Sequence, residues 1–121
     1  MEIKWSNFIA MIPSIEEIKY FDKIYKKYTA WNGLARSDEA NLNKIGVLVP
    51  DDGAVEVATD YQAEENYWSD KHLISLKNYP YNGCSIFKYG TNGGLYLVYV
   101  ELGGHAPEKR CRLAQKELIA S

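Results

Sequence analysis

Four side chains in this sequence have reactive chemistry available near neutral pH: His72, His105, Cys84 and Cys111. A histidine titrates close to neutrality, and a cysteine reacts through its thiolate. His105 stands in Gly-Gly-His-Ala-Pro with Cys111 six positions further on, the one pairing that suggests a Cys-His nucleophile. Such a pair needs hydrogen-bond reach and a third group to orient the base. The spacing imposes neither. A small enzyme using His105 and Cys111 is therefore an alternative, and no residue is assigned as catalytic.

Other site chemistries fit the residues less well. Two cysteines 27 positions apart and two isolated histidines match no zinc spacing. Asp51, Asp52, Asp60 and Glu64 lack the alternating ligands, central glycine and terminal glutamate of a calcium loop. Gly90, Gly93 and Gly94 lie between two apolar runs, whereas a phosphate-cradling loop leads from a strand into a helix. The neighbouring carboxylates Asp51-Asp52 and Glu64-Glu65 tend to point apart, and nothing beside them would raise a pKa for acid catalysis. The expectation is a protein without metal or cofactor.

Charge patterning is more informative. The whole chain has 14 Lys and Arg against 16 Asp and Glu, a net charge of −2. Between Ser37 and Asp70, nine acids against the single base Lys44 leave −8, and the rest of the chain carries +6. Asymmetry of this kind governs steering and partner choice rather than fold. Aromatic residues lie beside these acids: Tyr61, Tyr67 and Trp68 within the segment, Tyr79 and Tyr81 shortly after it. Tyr and Trp dominate interface hot spots, and surrounding carboxylates accelerate encounter with a basic partner. The predicted contact surface comprises Asp51, Asp52, Glu56, Asp60, Glu64, Glu65 and Asp70, with Tyr67 and Trp68 as anchors. The alternative is that Tyr67 and Trp68 are core residues.

The elements that must position this surface follow from hydrophobic periodicity. Trp5, Phe8 and Ile9 predict a short helix ending at Pro13. Ser14 and Glu17 form a capping box that opens a helix over residues 14–30, with Ile18, Phe21, Ile24, Tyr25 and Tyr28 as its apolar stripe. Asn32-Gly33 closes it. Residues 45–49 and 54–59 read as strands around Asp52-Gly53. Tyr61 to Asp70 is ambiguous between helix and loop. His72 to Leu76 reads as a strand, and Asn78 to Gly83 as a turn. Residues 84–89 and 95–102 form a hairpin whose second strand is apolar on both faces, and so central. Pro107 suits the first turn of a final helix ending near Ala120, with Cys111, Ala114 and Leu118 on one face. The sum is an α+β domain: an N-terminal helix, a mainly antiparallel sheet of four or five strands, and a C-terminal helix.

With 121 residues the chain is expected to fold as one domain, 1–121. Its charge balance is the reverse of a general nucleic-acid binder, so no nucleic-acid partner is expected. Its longest apolar run, Leu95 to Val100, is far below the roughly 20 residues of a membrane span. No charged-then-apolar leader opens the sequence, and two cysteines in a well-filled core read as reduced thiols of a cytoplasmic protein.

A small acidic α+β domain rich in Trp and Tyr, opening with Trp5-Ser6-Asn7-Phe8 and then Ile12-Pro13-Ser14, resembles the bacterial immunity proteins of contact-dependent inhibition and related polymorphic toxin systems. The likeness is one of general style and carries no specific motif. It implies a cytoplasmic inhibitor that binds a cognate toxin domain, frequently a basic nuclease, and occludes its active site. The acidic segment would then stand in for nucleic-acid phosphates. Tyr28-Thr-Ala-Trp-Asn-Gly33 and Gly90-Thr-Asn-Gly-Gly-Leu-Tyr-Leu97 are similar to features of SMI1/KNR4-type domains, although their order and spacing fit poorly. An acidic adaptor or nucleic-acid-mimicking regulator is the remaining alternative, and charge does not separate it from the first reading.

Overall fold

Among the described residues every strand belongs to one sheet. In the computed structural model, which describes residues 1–52, 68–102 and 106–120, six strands lie in the order β1-β3-β4-β5-β6-β2. They are β1 (Glu2–Lys4), β2 (Asn32–Gly33), β3 (Leu42–Val49), β4 (Ser85–Tyr89), β5 (Leu95–Glu101) and β6 (Glu108–Leu113). Only β1 and β3 run parallel; the other pairings are antiparallel. The helices are α1 (Trp5–Met11), α2 (Ile15–Phe21) and α3 (Arg36–Glu39), with 3-10 turns at Tyr25–Tyr28 and Lys116–Leu118. The fold is α+β, with more strands than the sequence predicts and no C-terminal helix.

Strand β5 is central, as its two apolar faces require. Leu95 and Leu97 enter one core with Phe8 and Ile12 of α1 and with Ile74, Leu76 and Tyr81. Tyr96 and Val98 enter a second core with Ile18 of α2, Ile24, Tyr28, Leu42, Cys111 and Leu113. Each face of the sheet thus has its own core. Cys84 belongs to the first and Cys111 to the second, so the sheet separates the two free thiols.

Three predicted elements are corrected. The helix expected over 14–30 begins as predicted, with the Ser14 hydroxyl accepting the Glu17 N–H at 3.3 Å, but α2 ends at Phe21. Asp22 takes extended backbone, and its buried carboxylate accepts the Gly94 N–H at 3.1 Å and the Tyr96 hydroxyl at 2.6 Å. That carboxylate reaches the sheet only if the helix stops. Ile18, Ile24 and Tyr28 are still buried, whereas Phe21 is exposed. Asn32-Gly33, predicted as a helix stop, is the edge strand β2 against Cys111 and Arg110.

The predicted final helix is strand β6, paired with β5 from Tyr96↔Leu113 to Glu101↔Glu108. Cys111 and Leu113 alternate with Arg110 and Arg112, and the open edge of β5 supplies hydrogen-bond partners along the whole length. That ladder outweighs the helical spacing of Cys111, Ala114 and Leu118. The strand predicted over His72 to Leu76 reduces to one bridge, Ile74 with Ile119. The hairpin arm predicted at 54–59, and residues 61–67, lie outside the described residues.

Arg112, in β6, has no exposed surface. Its Nη1 donates to the Tyr81 hydroxyl at 2.8 Å and its Nη2 to the Asp70 carbonyl at 3.1 Å. Trp31 Nε1 donates to the same hydroxyl at 3.2 Å, and His72 Nδ1 lies 3.0 Å from it. A phenol has two acceptor sites and one proton. Arg112, Trp31 and His72 together occupy that capacity.

Two stability predictions result. Tyr81→Phe deprives Arg112, Trp31 and His72 of their shared partner, and should lower the unfolding free energy in urea by about 3 kcal/mol or more. Asp22 is held above its ordinary value of 3.8 by burial, against the opposing bonds from Tyr96 and Gly94. The folded chain therefore keeps this proton where the unfolded chain has released it. The contribution is full below pH 3.8 and is lost as the pH rises through the folded-state value. Asp22→Asn should flatten that part of the pH–stability curve, and Asp22→Ala should cost about 2 kcal/mol or more by stranding two donors.

Candidate acidic and aromatic cleft

The strand directions bring several chain segments to one end of the sheet. The carboxyl ends of β1, β3 and β5 and the amino ends of β4 and β6 meet there, because Val47 pairs with Ser85, Ser85 with Val98, and Glu101 with Glu108. Pro50, Asp51 and Asp52 leave β3 at this end and form the wall of a cleft of about 340 Å3. Trp5, Ser75, Leu76, Lys77 and Ala120 complete it. Trp5 opens α1 and leans on Phe8 with ring centroids 5.6 Å apart. Ala120 is fixed there by the Ile74–Ile119 bridge, where its N–H donates to the Ile74 carbonyl at 2.9 Å.

The two cleft carboxylates have different tasks. Asp51 Oδ1 accepts the Ser6 N–H at 3.0 Å and the Ser6 hydroxyl at 2.9 Å. Ser6 is the second residue of α1, whose N-cap, Lys4, makes no side-chain capping bond. Asp51 thus caps α1 from 45 positions away, and these bonds hold its carboxyl below the ordinary value of 3.8. Asp52 is exposed and makes no such bond among the described residues. It is the carboxylate available to a ligand, beside a half-buried indole.

Trp68 and Asp70 are placed elsewhere. The Trp68 ring is 51% exposed, and the Arg110 guanidinium lies 4.4 Å from its centroid. Asp70 is exposed and gives its carbonyl to Arg112. Trp68 therefore sits by β6, three strand spacings from β3, or roughly 14 Å. The structure does not gather Asp51, Asp52, Trp68 and Asp70 into one pocket: Asp51 and Asp52 follow β3, whereas Trp68 and Asp70 lie against Arg110 and Arg112 of β6. Glu56, Asp60, Glu64, Glu65 and Tyr67 lie outside the described residues.

Two acids of the −8 segment are engaged internally. Asp38 is buried, accepting the Tyr28 hydroxyl at 2.6 Å and the Lys27 ammonium at 3.2 Å. Glu39 accepts Lys109 Nζ at 2.6 Å. Conversely, β5 and β6 bring Glu101 and Glu108 to the acidic end, residues the linear count left out. Tyr99 donates to Glu101 at 3.0 Å, and Tyr79 and Trp31 meet the Tyr99 ring edge-on. Trp5 is the other residue sequence reasoning passed over. Its type was informative, but its place beside Asp52 depends on β1 pairing with β3.

The thiol of the alternative enzymatic reading is deeply placed. Cys111 has no exposed surface, and burial, with smaller contributions from Asp38 and Glu39, raises its pKa well above the ordinary thiol value. Cys84 is raised to about 12 by burial. Both are protonated at neutral pH. His105 lies outside the described residues. Among the described residues no three His, Cys, Asp or Glu side chains are grouped to hold a metal ion, and no helix is long and apolar enough to cross a membrane.

Comparison with protein-family models, with curated proteins and with solved structures found no match to this chain.

The different tasks of Asp51 and Asp52 separate by mutation. Asp51→Ala should lower the thermal midpoint at pH 7, while Asp52→Ala should leave it unchanged. The Asp51 effect should fade as acid protonates its carboxylate, because a lowered pKa gives stability present above 3.8 and lost as the pH falls through the folded value.

Proposed function

We propose that this chain is a non-catalytic inhibitor of the toxin-immunity type, acting in the cytoplasm on a basic toxin domain, with a nuclease as the reading favoured by charge. The observation that supports it most directly is the cleft itself, which the exposed Asp52 and the half-buried Trp5 line together, with Lys77 also on its wall. A lysine or arginine of the partner entering there meets a carboxylate and an aromatic wall together. Trp68, half exposed beside Arg110, offers a second aromatic contact by β6. Occlusion needs no reacting group on the inhibitor. It requires only that the toxin's cationic substrate-binding surface be covered.

Electrostatics set the kinetics of such an inhibitor. Carboxylates at one end of a nearly neutral chain steer a basic partner into register, and salt screens that attraction over roughly 8 Å at physiological ionic strength. Affinity then depends on how well Trp5 and Trp68 are covered.

The test begins with the toxin-like domain encoded beside this chain, expressed with and without it. Rescue of growth and a co-purifying complex are expected. Asp52→Lys should slow association several-fold at low salt, with the difference shrinking as salt is added. A domain that still kills in the presence of this protein, or an association rate insensitive to Asp52→Lys, would count against the proposal at the level of partner or of site respectively.

A further inference from the structure

The end of the sheet opposite the acidic cleft carries a surface of the other sign. Asp22 ties the end of α2 to Gly94 and Tyr96 at the hairpin between β4 and β5. Asp51 and Asp52 lie beyond the far ends of the same strands, so the two regions are separated by the length of β5, roughly 20 Å. Around this tie the chain reads Lys19-Tyr-Phe-Asp-Lys-Ile-Tyr-Lys-Lys27. Lys19, Lys23, Lys26 and Lys27 are all exposed. Asp22, the one acid among them, is buried beneath Tyr96 and Gly94. Lys27 also reaches Asp38, while keeping 60% of its side chain in solvent. The adjoining hairpin tip, Gly90-Thr91-Asn92, is uncharged and exposed. The nearest further acids on α2 are Glu16 and Glu17, in its first turn.

Two aromatic rings stand out of this basic surface. Tyr20 is 83% exposed and Phe21 41%, and they meet edge-on with centroids 4.9 Å apart. The sheet needs neither ring, since Ile18, Ile24 and Tyr28 supply the core contacts of this stretch. Exposed aromatic rings among mobile cations match a polyanion that also offers flat π faces. A protein partner fits less well, because lysine is depleted in the cores of protein interfaces. A lipid surface also fits less well. Insertion needs a broad apolar helix face, and α2 is two turns long with its buried residue, Ile18, spent on the sheet.

We propose that Lys19, Tyr20, Phe21, Lys23 and Lys26 form a sequence-independent binding surface for single-stranded nucleic acid. The lysines contact phosphates and the two rings stack on bases. This inference does not rest on the toxin partner proposed above. The whole-chain charge of −2 conceals the surface, because Asp22 and Asp38 are buried and Asp51, Asp52, Glu101 and Glu108 lie toward the other end of the sheet.

The test is fluorescence anisotropy of the full chain with labelled dT12 and rU12 from 20 to 150 mM NaCl. Saturable binding is expected, weakening with salt at a log–log slope of about −2, as expected for three phosphate contacts on a single strand. Lys23→Glu with Lys26→Glu should weaken binding at least tenfold and flatten the slope. Tyr20→Ala should weaken it about fivefold with the slope unchanged, a signature of lost stacking that loss of charge would not give. All three side chains are exposed, and circular dichroism of each variant confirms that the fold is retained. The proposal is overturned if neither oligonucleotide binds at 20 mM NaCl, or if Tyr20→Ala binds like the parent and polyglutamate displaces the oligonucleotide equally well. It is also overturned if phosphatidylserine vesicles bind the chain while the oligonucleotides do not.

Discussion

A fully buried guanidinium is the constraint around which the rest of this fold is arranged. Arg112 of β6 has no solvent to share its charge. Its Nη1 and Nη2 donate to the Tyr81 hydroxyl and the Asp70 carbonyl, while its buried Nε has no hydrogen-bond partner among the described residues, so the chain from Asp70 to Tyr81 has to lie across β6. Trp31 and His72 then share the Tyr81 hydroxyl, which fixes their orientation and fills each of its bonding sites. A buried guanidinium stripped of these acceptors would be strongly destabilising. The well-defined path of residues 70–81 is the structural return, and that path brings Ser75, Leu76 and Lys77 to the wall of the acidic cleft.

Asp22 performs the corresponding task on the other face. Its carboxylate, buried with bonds from a hydroxyl and a backbone N–H, ends α2 and ties it to the hairpin. The same tie leaves Tyr20 and Phe21 pointing away from the core. Both proposed surfaces thus depend on buried polar groups that exist for structural reasons. Arg112 orders one wall of the cleft, and Asp22 presents the basic, aromatic surface. A protein with segregated charge can meet two unlike partners without either approach being opposed by the other's field, provided the two surfaces are farther apart than the screening length. The length of β5 provides that separation.

Part of this was legible along the chain, and the particular residues explain why. Ser14 and Glu17 announce a helix start because a capping box is satisfied locally. The two apolar faces of Leu95 to Val100 announce a central strand because no edge strand needs both. The helix over 14–30 and the helix after Pro107 were misread for a shared reason. Asp22 and Arg112 look like ordinary surface charges in sequence, and each is taken into the interior by a tyrosine about 74 or 31 positions away. Local periodicity cannot register a partner at that distance. The acidic segment was legible as a charge count, but its membership changed on folding: Asp38 and Glu39 were neutralised, Asp51 became a helix cap, and Glu101 and Glu108 were added.

The sequence by itself determined the α+β class, the two apolar faces of β5, the start of α2 and the existence of a strongly acidic stretch. These depend on side-chain type and on spacings of a few residues. Only the tertiary structure decided which carboxylates remain exposed, that Trp5 rather than Trp68 stands beside Asp52, and that four lysines and two aromatic rings share the opposite end. Those outcomes depend on the order of strands in the sheet and on where buried charges find partners. Strand order and charge pairing join residues far apart in the chain, and such couplings leave no periodic trace in a single sequence.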